Sequence, residues 1–572
     1  MNDSKSRLRV WPAIVILVLM WGVLLGLPRL ALETMLHFQG VPLTLLGGTV
    51  LFGVWWVFLS RASRRSRWGG AGLFVAGLIA LFALSHESMQ VAIVLYILPR
   101  ILTALTLLAL LMNAVPKLRT VRVGVVVMLA IMALPLMLRT APLDGDMQPD
   151  FSFRWSSTPV VATIDTPTTP TETEPLIASD GDWTEFRGPQ RDSQVHQRIV
   201  GTNWNDDPPV ELWRTPVGEA WSSMTIVGDF LFTQEQRGDR ELVTAYRAAT
   251  GEPLWADGIQ SRFFDPISGA GPRGTPTFAD GRLFSITGRG TVLAHDASRG
   301  TLLWSHDLMA EYDTPLPDWG FSGSPEIYND TVIVCVGHPD GVGLAAYDAA
   351  TGDERWTTEP LTDSYSAPHL VTLHDTPQVI ILHGDGVNSH DPVNGSLLWR
   401  HDWPVPGTRI VQPALVPGNR LLIGTSFGEG TRLLQIDYDG TSWSTDELWT
   451  SRGMKPYYND FAVYDGHLYG FDTKILSSID LADGSRDWKR GRYGHGQLLM
   501  LADQGVMLVL SEQGDLALVE ANPDEFIELA RVEVLSGKTW NHPAIVGDVL
   551  YVRNDREMAA YRLPRNASTT RP

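Results

Sequence analysis

The chain has 572 residues, with 45 Lys plus Arg against 64 Asp plus Glu, a net charge of −19 and a single cysteine, Cys335. One cysteine excludes an intrachain disulfide, a Cys-x-x-Cys-His haem attachment and a cysteine-based zinc cage. The charge is unevenly spread: residues 1–139 carry about +10 and the remainder about −29, an acidic balance that repels phosphate backbones and argues against nucleic-acid binding.

Five apolar runs open the chain, at Val10–Leu27, Val41–Leu59, Gly69–Leu84, Val91–Val115 and Val121–Leu138, most of them near the roughly 20 residues that cross a hydrocarbon core. The third is short and the fourth contains Pro99 and Arg100, so a four-span or re-entrant arrangement stays open beside the five-span one. Lys5, Arg7 and Arg9 precede the first run. Arg61, Arg64, Arg65 and Arg67 follow the second, and Lys117, Arg119 and Arg122 separate the fourth from the fifth. Basic loops stay in the cytoplasm, which puts the amino terminus inside and everything after Arg139 outside. A cleaved signal peptide fits poorly, because no small-residue cleavage site follows the first run. Arg100 is either a functional intramembrane charge or a side chain snorkelling at the outer interface.

From Thr140 to Asp182 the chain turns rich in Pro, Thr, Asp and Glu, with TPTTPTETEP at Thr166–Pro175. That composition buries too little apolar surface to fold and reads as a semi-extended tether over 140–181.

Beyond it one pattern recurs: a short apolar strand, an Asp-Gly or Gly-Asp turn, two more strands, then Ala-x-Asp-x-x-x-Gly leading to Trp. The copies end at Trp255, Trp304, Trp356, Trp399, Trp449 and Trp488, and a seventh, degenerate copy after Leu498 lacks the tryptophan. Pro543–Leu563 supplies only three strands, and the fourth is available upstream in PPVELWRTPVG with Trp213 in the repeat position. The first strand then completes the last blade, and spacings of 39 to 52 residues give a mainly β fold with an eight-bladed β-propeller over 182–572 behind a helical membrane domain over 1–139. The tryptophans are read as structural, each docking its outer strand on the next blade.

The AYDAATGDERW type of repeat resembles the tryptophan-docking repeats of PQQ-like (quinoprotein-type, BamB-like) propellers, the class shared by quinoprotein alcohol and glucose dehydrogenases and the outer-membrane assembly propeller BamB. The likeness covers about Asp182–Leu563, and five spans before an outward propeller are similar to the layout of membrane-bound quinoprotein glucose dehydrogenase. The opening DWTEFRGPQRDS (Asp182–Ser193) resembles that of a broad bacterial group of such propellers. Two features depart from the relatives: no lipid-acceptor cysteine as in BamB, and no vicinal disulfide as in soluble alcohol dehydrogenases. The repeat implies the fold and leaves the activity open.

The loops that enter each inner strand deliver side chains to the propeller axis. There Arg273, Arg409, Lys455, His495 and Lys538 converge with Trp221, Trp319, Tyr365 and Trp540, and Asp460 is the one carboxylate. An aromatic-lined cationic funnel suits a planar anion. If PQQ with Ca²⁺ bound there, the resemblance implies Trp540 as its platform, Arg273 and Arg409 on its carboxylates, and Asn459 with Asp460 as metal ligand and catalytic base. Glycine motifs such as GPQRD open no helix as a phosphate loop must, the histidines His295, His306, His338, His369, His374, His383, His390 and His401 share no blade position, and no nucleophile elbow is present. The leading expectation is a non-catalytic binding or scaffold module in the bacterial inner membrane, its propeller periplasmic and facing a protein partner or a small anionic ligand. A PQQ-dependent dehydrogenase passing electrons to membrane quinone is the enzyme-class alternative.

Overall fold

A computed structural model describes residues 7–30, 35–115, 120–156, 175–196, 200–362, 364–405 and 409–565. Lys5, Lys117, Arg119 and nearly all of the TPTTPTETEP tract lie outside the described residues. The chain divides into two compact units, Met1–Thr158 with Pro266–Gly269, and Pro159–Asp265 with Ala270–Pro572.

In the first unit, helices α1 (Trp11–Leu30), α2 (Met35–Val54), α3 (Arg64–Leu84), α4 (Met89–Ala92), α5 (Leu98–Ala114) and α6 (Val121–Ala133) follow the apolar runs. Among the described residues four helical segments are long and apolar enough to cross a membrane, Trp11–Leu30, Gln39–Leu59, Arg64–Leu84 and Met89–Ala114, and the fifth, Val121–Met137, is shorter. Proline has no N–H to donate, and Pro99 is accommodated just after a π-helical turn, Ile93–Ile97, in which the Leu98 N–H reaches back to Ile93. Ala13, Leu17, Met20, Leu45, Phe52 and Leu102 of α1, α2 and α5 form a buried seam with Trp55, the first residue of the π-helical segment that follows α2. Arg100 is exposed and donates to the Tyr96 carbonyl at 2.6 Å. Residues 140–156, assigned from composition to the tether, begin with a hairpin in which Leu138–Thr140 pairs with Phe151–Phe153.

The second unit is an eight-bladed propeller. Seven blades are four-stranded antiparallel sheets, and the seventh in order gains a fifth strand, Gln194–Val195, parallel to Gln497–Leu501. Blades one to seven begin at Thr225, Thr277, Glu326, His369, Ala414, Ala462 and Gln497. Blade eight is built from Ala544–Val546, Val549–Arg553 and Glu557–Arg562, and Val210–Pro216 from the front of the domain pairs on its outer edge. Closure therefore runs as the missing fourth strand required.

The junction of blades two and three explains the repeat chemistry. In blade three Asp348 Oδ1 accepts the N–H groups of Ala350 and Thr351 at 2.8 and 2.9 Å, fixing the turn. Gly352 follows at φ 80°, and a Cβ there would lie 2.9 Å from Cγ of Trp304. The glycine is thus demanded twice, by its backbone and by the tryptophan of the preceding blade lying over it. Trp304 then donates its indole N–H to the Ala349 carbonyl at 3.2 Å, as Trp213, Trp255 and Trp449 do to Ala248, Ala297 and Leu481. Blade seven places Ala530 in the tryptophan's register, opposite Leu518. The reason is topological: blade eight takes its outer strand from elsewhere in the chain, so it has no third-to-fourth-strand turn on which a tryptophan from blade seven could dock.

Candidate functional site: the propeller axis

Eight inner strands converging on an axis turn backbone carbonyls into a space where few partners exist, and buried carbonyls need donors. The segment after Asp182 supplies them. Trp183 exchanges backbone hydrogen bonds with Ile226 of blade one at 2.9 and 2.8 Å, and the Thr184 carbonyl accepts from Phe278 of blade two at 2.9 Å. Arg187, 1% exposed, donates to the Phe461 carbonyl at 2.9 Å and to Ser193 Oγ at 2.8 Å. Arg191, 2% exposed, donates to the carbonyls of Pro368 (2.9 Å) and Pro325 and lies 2.5 Å from Glu185 and 3.3 Å from Glu326. His542 Nε2 meets Ser193 Oγ at 3.0 Å. The FRGPQRDS stretch is therefore a plug whose two guanidiniums tie together the entries of several blades, a task for the planar, multi-donor Arg fork.

Burial dominates the titration of this plug. It pushes Glu185 up to about 7 despite Arg191 beside it, and raises Asp460 against the pull of Arg187. It lowers His369 and His542 to about 3, helped by the neighbouring guanidiniums.

On the face of the loops entering the inner strands, six groups from four blades meet. Lys538 Nζ sits 3.9 Å from the Trp540 ring and 4.6 Å from that of Trp221. The two indoles are 4.8 Å apart, and Tyr458 packs on Trp540 at 4.9 Å. His495 stacks on Tyr458 at 5.3 Å. Glu512 ties the group together, accepting the Trp540 indole N–H at 2.9 Å and the His495 backbone N–H at 3.1 Å. Of the expected residues, Lys538, Trp540, Trp221 and His495 are thus brought into one cluster.

The others are engaged by partners outside it. Arg273 lies over Phe263 at 4.3 Å, donates to the Gly271 carbonyl, and is lowered to about 10 by burial. Trp319 and Tyr365 pack on each other at 5.2 Å. Arg409 is fully buried and donates to the carbonyls of Trp403 at 2.7 Å and His383 at 3.2 Å, holding its own loop. Lys455 is paired with Asp472.

Asn459 and Asp460 do not face an open ligand set. Asn459 Oδ1 accepts the Tyr457 N–H at 3.0 Å, while Asp460 accepts the Gln412 N–H at 2.7 Å and lies 3.5 Å from Arg187 Nε. A calcium ion needs several free oxygens, and among the described residues no group of three His, Cys, Asp or Glu gathers to hold a metal. The donor set proposed for Ca²⁺ with PQQ therefore does not fit. Asp460 is also not the only carboxylate near these loops. Glu512 and Asp472 come from turns between second and third strands, which share the face of the entry loops; including those turns would have found both from sequence.

No curated protein matches the chain. Solved structures that match include BamB from Moraxella catarrhalis, with 14% identity, TM-score 0.43, and coverage of 62% of this chain and 98% of that one. A europium-containing methanol dehydrogenase matches with 12% identity, TM-score 0.43, and coverage of 67% and 98%. A quinohemoprotein alcohol dehydrogenase from Pseudomonas putida matches with 16% identity, TM-score 0.48, and coverage of 68% and 81%. The family model described as outer membrane protein assembly factor BamB matches residues 239–386 and 383–548, over half of the chain. Repeat, closure and family match agree, and the chain belongs to the BamB family of PQQ-like propellers.

Proposed function

We propose that this protein is a membrane-anchored, extracytoplasmic binding module whose propeller engages a protein or an anionic ligand through the entry-loop face. The observation that supports it best is the Lys538–Trp221–Trp540–Tyr458–His495 cluster braced by Glu512: rigid rings and a cation held in place before any ligand arrives, as recognition surfaces require. The apolar helices support membrane anchoring, and the basic residues flanking them support a bacterial inner-membrane location with five spans, a cytoplasmic amino terminus and a periplasmic propeller. The family's description as an assembly factor supports a protein partner in the periplasm.

The test is a photo-crosslinking amino acid placed at position 221 in the full chain in cells, with position 393 on the far side of blade four as control. A discrete adduct from 221 that disappears in Lys538→Ala supports the reading, and no adduct at full expression overturns it. Titration of the detergent-solubilised chain with PQQ, with and without Ca²⁺, decides the dehydrogenase alternative, because calcium-dependent binding lost in Arg273→Ala would replace the scaffold reading.

A further inference from the structure

Blade six carries an unusual charge pattern for so acidic a domain. Arg452, Lys455, Lys474, Arg486, Lys489, Arg490 and Arg492 fall within 41 residues, and three of them converge on one carboxylate. Asp472 is 1% exposed, and Lys455 Nζ, Lys489 Nζ (2.6 Å) and Arg486 Nη2 (3.1 Å) all reach it. Backbone carbonyls hold two of these cations in place: Arg486 Nε donates to Gly453 at 2.9 Å and Lys455 Nζ to Arg452 at 3.0 Å.

One buried carboxylate neutralises one cation, so the trio keeps a surplus of two positive charges. The three side chains remain 21%, 27% and 37% exposed. Like charges fixed side by side repel, and the repulsion is relieved when further negative charge arrives. The patch is joined to the aromatic cluster by one loop. Lys455 lies in the same entry loop as Tyr457 and Tyr458, whose rings pack 5.8 and 5.3 Å from His495.

We propose that this face of blade six docks an acidic, aromatic-containing segment of a partner protein, with its carboxylates on Lys455, Arg486 and Lys489 and a ring beside Tyr457. The inference rests on the binding-module reading and names the chemistry of its partner. Charge range favours a short segment over an anionic bilayer. Screening limits interactions to about 8 Å at physiological salt, so a peptide feels the local surplus, while an extended anionic surface also meets the acidic remainder of a part carrying about −29.

The probe is a fluorescein-labelled twelve-residue peptide of alternating Glu and Tyr, titrated into the full chain in uncharged detergent, with a Lys–Tyr peptide as control. Saturable binding is expected for the acidic peptide alone, weakening as salt rises. The pair Arg486→Gln with Lys489→Gln keeps the Lys455–Asp472 contact and should weaken binding at least tenfold. Asp472→Asn should strengthen it severalfold, an effect that a purely structural role for the cluster does not produce. Unchanged peptide binding in the double variant overturns the proposal, as does Asp472→Asn failing to strengthen binding while melting like the wild type. Cosedimentation with phosphatidylglycerol vesicles that is lost in the double variant, without peptide binding, assigns the patch to lipid and also overturns it. Peptide binding lost in Lys538→Ala but intact in the double variant retains the binding module and rejects this surface.

Discussion

Arg187 Nε lies 3.5 Å from Asp460 Oδ2, and both side chains are buried. The pair joins the stretch that precedes the first blade to the loop entering the sixth, so it couples the plug to the ring. Removing one member of a buried pair leaves an uncompensated charge, at a cost of about 3–5 kcal/mol. Asp460→Ala should therefore destabilise the propeller by about that amount. Arg187→Met combined with Asp460→Leu should cost less than the single change, as measured by denaturant unfolding followed through tryptophan fluorescence.

Two glycines with φ 80° separate backbone strain from steric clash. Gly466 has nothing within 4 Å of a built Cβ, whereas at Gly352 the ring of Trp304 is 2.9 Å away. Gly466→Ala should cost about 1–2 kcal/mol, the left-handed penalty alone. Gly352→Ala should cost a further 1–3 kcal/mol, because the blade-two tryptophan must shift in a packed site. Equilibrium unfolding of the two variants side by side reads the difference.

The docking tryptophans differ in one atom's environment. Trp304 Nε1 donates to the Ala349 carbonyl, while Trp356 Nε1 is buried with no hydrogen-bond partner among the described residues. Trp304→Phe should thus be the more destabilising of the two Trp→Phe substitutions by about 1 kcal/mol, the net contribution of one hydrogen bond. Equal losses in thermal unfolding would show that the indole N–H adds nothing to docking.

The plug gives stability two opposing pH dependences. His369 and His542 fall from 6.5 to about 3 on folding, so their contribution is complete above pH 6.5 and is lost as pH falls towards 3. Glu185 rises from 4.5 to about 7, so its contribution is complete below 4.5 and is lost as pH rises through 7. Between 4.5 and 6.5 two histidines outweigh one glutamate, and stability should rise with pH. Between 6.5 and 8 the residual histidine contribution and the glutamate contribution nearly cancel, so stability should stay level in the wild type but keep rising slightly in Glu185→Gln, and His542→Asn should flatten the acid limb. Melting temperatures between pH 4 and 8 provide the check.

Much of the architecture was legible because each blade repeats its own turn, glycine and tryptophan, and because a blade short of one strand points to where that strand must come from. Ala530 was less legible: it reads as a decayed repeat until the absent turn of blade eight explains it. The site was harder for a physical reason. Arg409 looks like a ligand-binding cation in a loop, yet it is fully buried and engaged by the Trp403 carbonyl, whose proximity only the folded ring creates. Glu512 was missed because the entry loops were read without the turns that share their face. The DWTEFRGPQRDS opening was recognised as a signature, but its role as an axial plug depends on carbonyls spread from Pro325 to Phe461.

The strand at Val210–Pro216 pairs with Glu557–Arg562, about 350 residues further along the chain. At ribosomal rates of about 5–20 residues per second, the first strand is made roughly 20 to 70 s before its partner exists. During that time every completed blade belongs to an open arc with two bare ends, and the arc becomes a ring only when the last few dozen residues arrive. A chain cut short near its carboxyl terminus therefore loses more than one blade's worth of packing, since it keeps a waiting edge strand with nothing to receive it.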